Sequence, residues 1–188
     1  SRRLIVAGES GGGNLALATA IKLKRDGDIH LLDGIFSMCP FISGKYEASE
    51  VPRDSASASS LEMYEGVVLN RHSLISFALG YGSRSLRNNP LAWPGCAKTE
   101  DLSGLPPTCI RVNEFDPLAD EGLAMHRSLL QAGVAVRCNV LPGTVHGTDN
   151  FFLGMCPEIS RETIAAIAAP SDVAKRTTLG RVTLVRAN

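Results

Sequence analysis

Apolar residues in this chain come in short runs separated by helix-forming and glycine-rich stretches. Leu4-Ile5-Val6-Ala7 stops at Gly8, and Asn14 to Arg25 is rich in Ala, Leu and Lys, so the opening predicts a strand, a tight turn and a helix. Asp26-Gly27-Asp28 ends that helix, and Leu31 to Ile42, bounded by Ser43-Gly44, predicts a second strand that Gly34 weakens at its start. Thr108 to Asn113 predicts a third strand, Asp120 to Gln131 a helix closed by Gly133, and Ala135 to Leu141 a fourth strand. A last helix over Ile159 to Ala168 is stopped by Pro170. Strands alternating with helices imply an α/β fold, a parallel sheet covered by helices on both faces.

Two stretches break the alternation. Between about 45 and 105, Ser and Ala crowd positions 55–60, amphipathic patterns cover 60–69 and 72–81, and Asn88-Asn89-Pro90 and Trp93-Pro94-Gly95 punctuate the rest. This predicts a helical insertion. Residues 170–188 carry Lys175, Arg176, Arg181 and Arg186 against one acid, Asp172, which reads as a solvated tail after a domain of 1–169. At the other end, Ser1-Arg2-Arg3 runs straight into a strand with no cap, turn or signal-peptide pattern. The expectation is a chain that begins inside a domain, with any targeting segment upstream.

Composition narrows the partners. Nineteen basic and nineteen acidic residues cancel, which removes the electrostatic reason for a nucleic acid or an anionic membrane and points to a small, largely neutral ligand. Five cysteines, an odd count without C-x-x-C spacing, argue against a disulfide framework and against a zinc site. They read as reduced, mostly buried small hydrophobes, which fits a cytoplasmic setting. No apolar run is long enough to span a membrane.

Gly8-Glu9-Ser10-Gly11-Gly12 fits G-x-S-x-G, and it lies where such a motif must, between a strand and a helix. There a sharp turn lifts the Ser10 hydroxyl above the sheet, and flanking glycines relieve crowding. The Gly11 N–H, at the positive end of the helix, faces a developing oxyanion. A glycine-rich turn that merely packs a helix on a strand, or binds phosphate, is the bland reading, but no nucleotide-type glycine pattern accompanies it.

Serine needs a histidine base, and the histidine needs a carboxylate to fix its tautomer. Asp116, in Phe115-Asp116-Pro117-Leu118, follows the third strand, and His146, in Pro142-Gly143-Thr144-Val145-His146-Gly147, follows the fourth. Both stand at the carboxyl ends of strands, where open α/β sheets bind ligands. A lone loop histidine is most often a solvated surface residue; the order Ser10, Asp116, His146 argues otherwise. His30 precedes a strand at the opposite edge, His72 lies in the insertion and His126 inside a helix. Asp120 and Glu121 are rival acids, but a favourable helix dipole accounts for them. Glu9 reads as a backbone partner at the elbow rather than a chemical participant.

Gly8-Glu9-Ser10-Gly11-Gly12-Gly13-Asn14-Leu15-Ala16, Leu102-Ser103-Gly104-Leu105-Pro106-Pro107, Glu114-Phe115-Asp116-Pro117-Leu118 with Asp120-Glu121, and Pro142-Gly143-Thr144-Val145-His146-Gly147 together resemble the hormone-sensitive-lipase family of esterases, over roughly residues 3–169. The resemblance implies an α/β-hydrolase fold and cofactor-free, metal-free hydrolysis of carboxylic esters of short to medium acyl chains. It also implies a nucleophile at Ser10, an orienting acid at Asp116 and a base at His146. That family draws its other oxyanion donors from an upstream His-Gly-Gly-type loop, which this sequence does not contain. Each missing donor costs about 2.7–4 kcal/mol of transition-state stabilisation, so the chain as written is expected to be a weak catalyst.

The first half of the sheet is also expected upstream, leaving residues 4–7 as an open edge. The insertion resembles the family's cap; Phe77, Leu79, Tyr81 and Trp93 are either its pocket lining or its ordinary core. Amide, formamide or thioester hydrolysis by the same triad stays open. So do a non-catalytic binding protein on this fold, against which His146 argues, and an inactive fragment.

Overall fold

The computed structural model describes residues 3–47, 57–152 and 154–168. Four strands, β1 (Ile5–Glu9), β2 (Gly34–Met38), β3 (Thr108–Phe115) and β4 (Val136–Val145), form one parallel sheet in the order β1-β2-β3-β4. α1 (Gly11–Asp26) joins β1 to β2. α2 (Ser57–Met63), α3 (Arg71–Tyr81) and α4 (Thr99–Leu102) lie between β2 and β3, and α5 (Ala119–Gln131) joins β3 to β4. The short α6 (Thr148–Phe151) and then α7 (Pro157–Ala168) follow β4. This is the parallel α/β sheet flanked by helices that the pattern predicts. The basic tail of 170–188 and residues 55 and 56 of the Ser/Ala stretch lie outside the described residues.

Successive residues of a strand face opposite sides of a sheet, and the core divides accordingly. Ile35, Ile110 and Val112 pack with Ala16, Leu17, Ala20 and Ile21 of α1 and Met125 and Leu129 of α5. Phe36, Met38 and Cys109, one register step away, turn to the other face and meet Ala166 and Ile167 of α7. A third cluster, Phe41, Tyr46, Leu61, Leu74, Ala92, Trp93 and Leu118, roots the described part of the 45–105 segment above the carboxyl ends of the strands. Among the described residues β1 pairs with a strand on one side only, and it is half-exposed along most of its length.

Several boundaries differ from those the pattern predicts. β2 is shorter than 31–42: Leu31 closes a 3-10 turn (Ile29–Leu31), and Cys39, at φ 41°, breaks the strand so that the chain can turn toward the elbow. Gly34 opens β2 rather than weakening it. β4 runs past Leu141 to Val145 through Pro142-Gly143, because Gly143 at φ 70° absorbs an irregularity in the β3–β4 register. α2 begins before the amphipathic pattern at 60, and α6 was not foreseen, its four residues being too short to show a period. Only Cys39 and Cys109 of the five free cysteines are buried; Cys96, Cys138 and Cys156 are half-buried.

Candidate active site

Ser10 sits between the last residue of β1 and the first of α1 with φ 56° and ψ −117°, a conformation rare for any residue but glycine. Three backbone bonds hold it: Ser10 N–H to Met38 O at 2.8 Å, Asn14 N–H to Ser10 O at 3.0 Å and Phe41 N–H to Ser10 O at 3.1 Å. The glycines of the motif are not equivalent. A Cβ on Gly8 falls 2.2 Å from Gly12 O, and one on Gly13 falls 2.9 Å from both Met38 O and Ser37 Oγ, whereas Gly11 and Gly12 have open space. Close packing of α1 on the strands therefore depends on Gly8 and Gly13, not on Gly12 as the motif suggests. As first residue of α1, Gly11 offers an N–H that the helical ladder does not use.

Asp116 follows β3 and is fully buried. Its Oδ1 accepts the N–H of Leu118 at 2.9 Å, and its Oδ2 lies 2.8 Å from His146 Nδ1. His146 Nε2 lies 3.0 Å from Ser10 Oγ. The structure thus brings the three sequence-predicted residues together from the ends of three strands. With Nδ1–H donating to the carboxylate, Nε2 is free to accept the Ser10 proton. His30 and His72 are exposed and line no part of the cavity at Ser10, and His126 lies on α5, where burial lowers its pKa.

Residues outside the Ser10, Asp116 and His146 set hold His146 in place. Asn113 Nδ2 donates to Val145 O at 2.6 Å and to Cys39 Sγ at 3.0 Å, and Thr144 Oγ1 donates to Asn113 Oδ1 at 3.0 Å. Below α6, Asp149 Oδ2 takes Arg111 Nη1 at 3.1 Å and Thr163 Oγ1 at 2.6 Å, a buried ion pair between β3, α6 and α7. Cys39 Sγ has an atom of Asp116 and of His146 within 4.8 Å. Burial pushes that thiol's pKa well up, its sulfur accepts from Asn113, and the other two groups are engaged with each other, so the trio is not an open ligand set.

Two acids differ from their sequence reading. Glu9 does not bond backbone: its Oε2 accepts from Asn150 Nδ2 at 2.5 Å, and burial raises its pKa. Glu121 does more than face a helix dipole. Its Oε1 accepts the Ile42 N–H at 2.8 Å and the Tyr46 hydroxyl at 3.0 Å, and burial lifts its pKa from 4.5 to about 7. Asp120, beside it, takes the Ser60 N–H at 2.9 Å and ties α2 to α5.

A cavity of about 240 Å³ opens at Ser10, lined also by Gly11, Asn14, Phe41, Leu69, Leu74, Phe77 and Tyr81. Of the aromatic and aliphatic candidates, Phe77 and Tyr81 reach it. Leu79 does not line it, and Trp93 is core, edge-on to Phe41 and Tyr81.

Comparison with known proteins places this geometry among relatives. A family profile described as alpha/beta hydrolase fold matches residues 1–150. The carboxylesterase NlhH of Mycobacterium tuberculosis is 32% identical over 173 residues, 89% of this chain and 50% of its own length. An arylesterase of Saccharolobus solfataricus is 31% identical over 169 residues, 89% of this chain and 49% of its own. Among solved structures, esterase Est22 superposes with a TM-score of 0.78 at 46% identity, covering 88% of this chain and 46% of that one. Brefeldin A esterase, titled a bacterial homologue of human hormone sensitive lipase, superposes with a TM-score of 0.80 at 35% identity, covering 92% of this chain and 48% of its own. The chain spans about half the length of the curated relatives it matches.

Proposed function

The chain belongs to the hormone-sensitive-lipase-like branch of the α/β-hydrolase family, and from that premise we propose that it carries the triad of a carboxylic ester hydrolase, with Ser10 as nucleophile, His146 as base and Asp116 as orienting acid. The observation that carries the reading is the unbroken relay from Ser10 Oγ through His146 to Asp116, at 3.0 Å and 2.8 Å. Ser10 Oγ attacks the ester carbonyl while His146 Nε2 takes its proton. Asp116 Oδ2 stabilises the resulting imidazolium, and the oxyanion faces the Gly11 N–H. Collapse expels the alcohol with the proton from His146, and water, activated by the same imidazole, releases the acid.

The substrate is a small ester whose acyl chain is short to medium. The site that would take it is an apolar cavity of about 240 Å³ that opens at Ser10. The 45–105 segment serves as the cap, since α3 supplies Phe77 and Tyr81 to that cavity. The five free cysteines fit a reducing compartment such as the cytoplasm. No helix among the described residues is long and apolar enough to cross a membrane.

The test is labelling of the chain with a fluorophosphonate probe, followed by turnover of short-chain p-nitrophenyl esters beside matched amides and thioesters. Labelling of wild type that vanishes in Ser10→Ala and falls by about 10³-fold or more in His146→Ala is the expected result. Folded wild type that is never labelled, or labelling that survives Ser10→Ala, would remove the assignment. Faster turnover of amides or thioesters would keep the triad and change the substrate class.

A further inference from the structure

His146 leaves the sheet at the end of β4, yet it serves a serine at the end of β1. Three strand spacings, about 14 Å in all, separate those ends, far more than an imidazole can span. The backbone after Val145 must therefore lean across β3 and β2. Asn113 holds its root at β3 through Val145 O, Asp116 meets the ring at the end of β3, and Asp149 ties α6 down to Arg111 of β3 and Thr163 of α7. None of these reaches β1. Among the described residues, the side-chain bond that does so, apart from His146 to Ser10 itself, is Asn150 Nδ2 to Glu9 Oε2 at 2.5 Å.

We propose that Glu9 is a positioning residue: from the motif that carries the nucleophile it holds, through Asn150 of α6, the segment that carries the base over Ser10. The inference rests on the reading of Ser10 and His146 as nucleophile and base.

As a purely structural contact the arrangement is poor. Glu9 Oε1 is buried and has no hydrogen-bond partner among the described residues, and the carboxylates of Asp149 and Asp116 lie near enough to disfavour its charge. A half-buried, half-satisfied carboxylate costs stability. What it provides is a charge-assisted acceptor one residue before Ser10, so that the elbow and the tether move as one body. Asn150 sits four residues after His146, on a helix whose other polar anchor, Asp149, fixes its height above β3 but not its reach toward β1.

The experiment measures the saturating rate of Ser10 phosphonylation by a fluorophosphonate in Glu9→Ala, Asn150→Ala, the double variant and Glu9→Gln, with the melting temperature of each and the ring resonances of ¹⁵N-labelled histidine. Glu9→Ala and Asn150→Ala are expected to slow the saturating rate by roughly 10- to 100-fold, the effect of about an ångström of misplacement, with half-saturating probe concentration unchanged. The double variant is no slower than the slower single one, and Glu9→Gln, which keeps an acceptor for Asn150, restores most of the rate.

Asn150→Ala that reacts like wild type, Glu9→Gln as slow as Glu9→Ala, or a loss that tracks the folded fraction would each overturn the proposal. If wild type is not labelled, or His146→Ala is labelled equally, the triad reading has failed instead. The tether is then decided by the His146 resonances. Signals displaced in Glu9→Ala and Asn150→Ala and restored in Glu9→Gln uphold it; unchanged signals sink it.

Discussion

Ser10 and His146 meet at 3.0 Å, but the two ends of that contact are held by different kinds of force. Ser10 is fixed by backbone: a strained φ, three main-chain bonds and two glycines that let α1 lie against the strands. His146 is fixed by side chains drawn from β1, β3, α6 and α7, through Glu9, Asn113, Arg111, Asp116 and Thr163. A nucleophile that must sit in one strained conformation is best built from contiguous residues. A base that must reach across a sheet can only be held by residues distant in sequence. The difference predicts how each end breaks.

The largest effect should fall on the elbow. Gly8→Ala places a methyl 2.2 Å from Gly12 O, against backbone that cannot yield without moving Ser10 and the first turn of α1. Loss of the folded state is expected, a cost of roughly 5 kcal/mol or more. Gly12→Ala meets nothing within 4 Å and exchanges a poor helix former for the best one, so it should stabilise by up to about 1 kcal/mol. Urea denaturation of both variants checks this. Equal effects would show that the motif glycines act by chain flexibility and not by packing.

Next comes the ion pair beneath His146. Removing either partner strands a charge that is almost fully buried, so Arg111→Ala or Asp149→Ala should each cost about 3–5 kcal/mol. The apolar double replacement Arg111→Met with Asp149→Leu should recover more than half of that loss in the same denaturation assay, since neither charge is then left alone. Additive losses would mean that the two residues act separately and that the anchor of α6 lies elsewhere.

The same contrast explains what could be read from the chain beforehand. The α/β alternation and the positions of Ser10, Asp116 and His146 were legible because each lies in a contiguous motif at a strand end. The distinction between Gly8 and Gly12 was not, because it depends on which backbone a Cβ would strike. Asn113 and Asn150 carry no local signature, since a polar residue near a strand end or in a four-residue helix looks like any surface position. Arg111 is harder still: a charge inside the apolar run Thr108 to Asn113 makes sense only once Asp149 is seen beneath α6. Glu121 was misread for a similar reason, its partners Ile42 and Tyr46 lying in a loop far away in sequence.

Glu121 sharpens the comparison, because it is a long-range polar device on the Ser10 side of the site. Its carboxyl holds the loop that brings Phe41 to the cavity wall, where Phe41 stacks on Tyr46 at 4.9 Å. Burial raises its pKa from 4.5 to about 7, so the folded chain binds the proton more tightly than the unfolded chain does. Its stabilising contribution is complete below pH 4.5 and is lost as the pH rises through about 7, by at most about 3 kcal/mol for a shift of that size. Glu9, raised by burial, adds a slope of the same sign, while His126, lowered by burial, opposes it, so the wild-type curve alone does not isolate Glu121. The difference between wild type and Glu121→Gln does, because the amide keeps an acceptor for the Ile42 N–H and cannot ionise. Urea midpoints should converge near pH 5 and separate by pH 8, with the Gln variant the more stable. A separation that is constant across that window would show that Glu121 keeps one protonation state from pH 5 to pH 8, and that its hold on Ile42 and Tyr46 carries no pH dependence there.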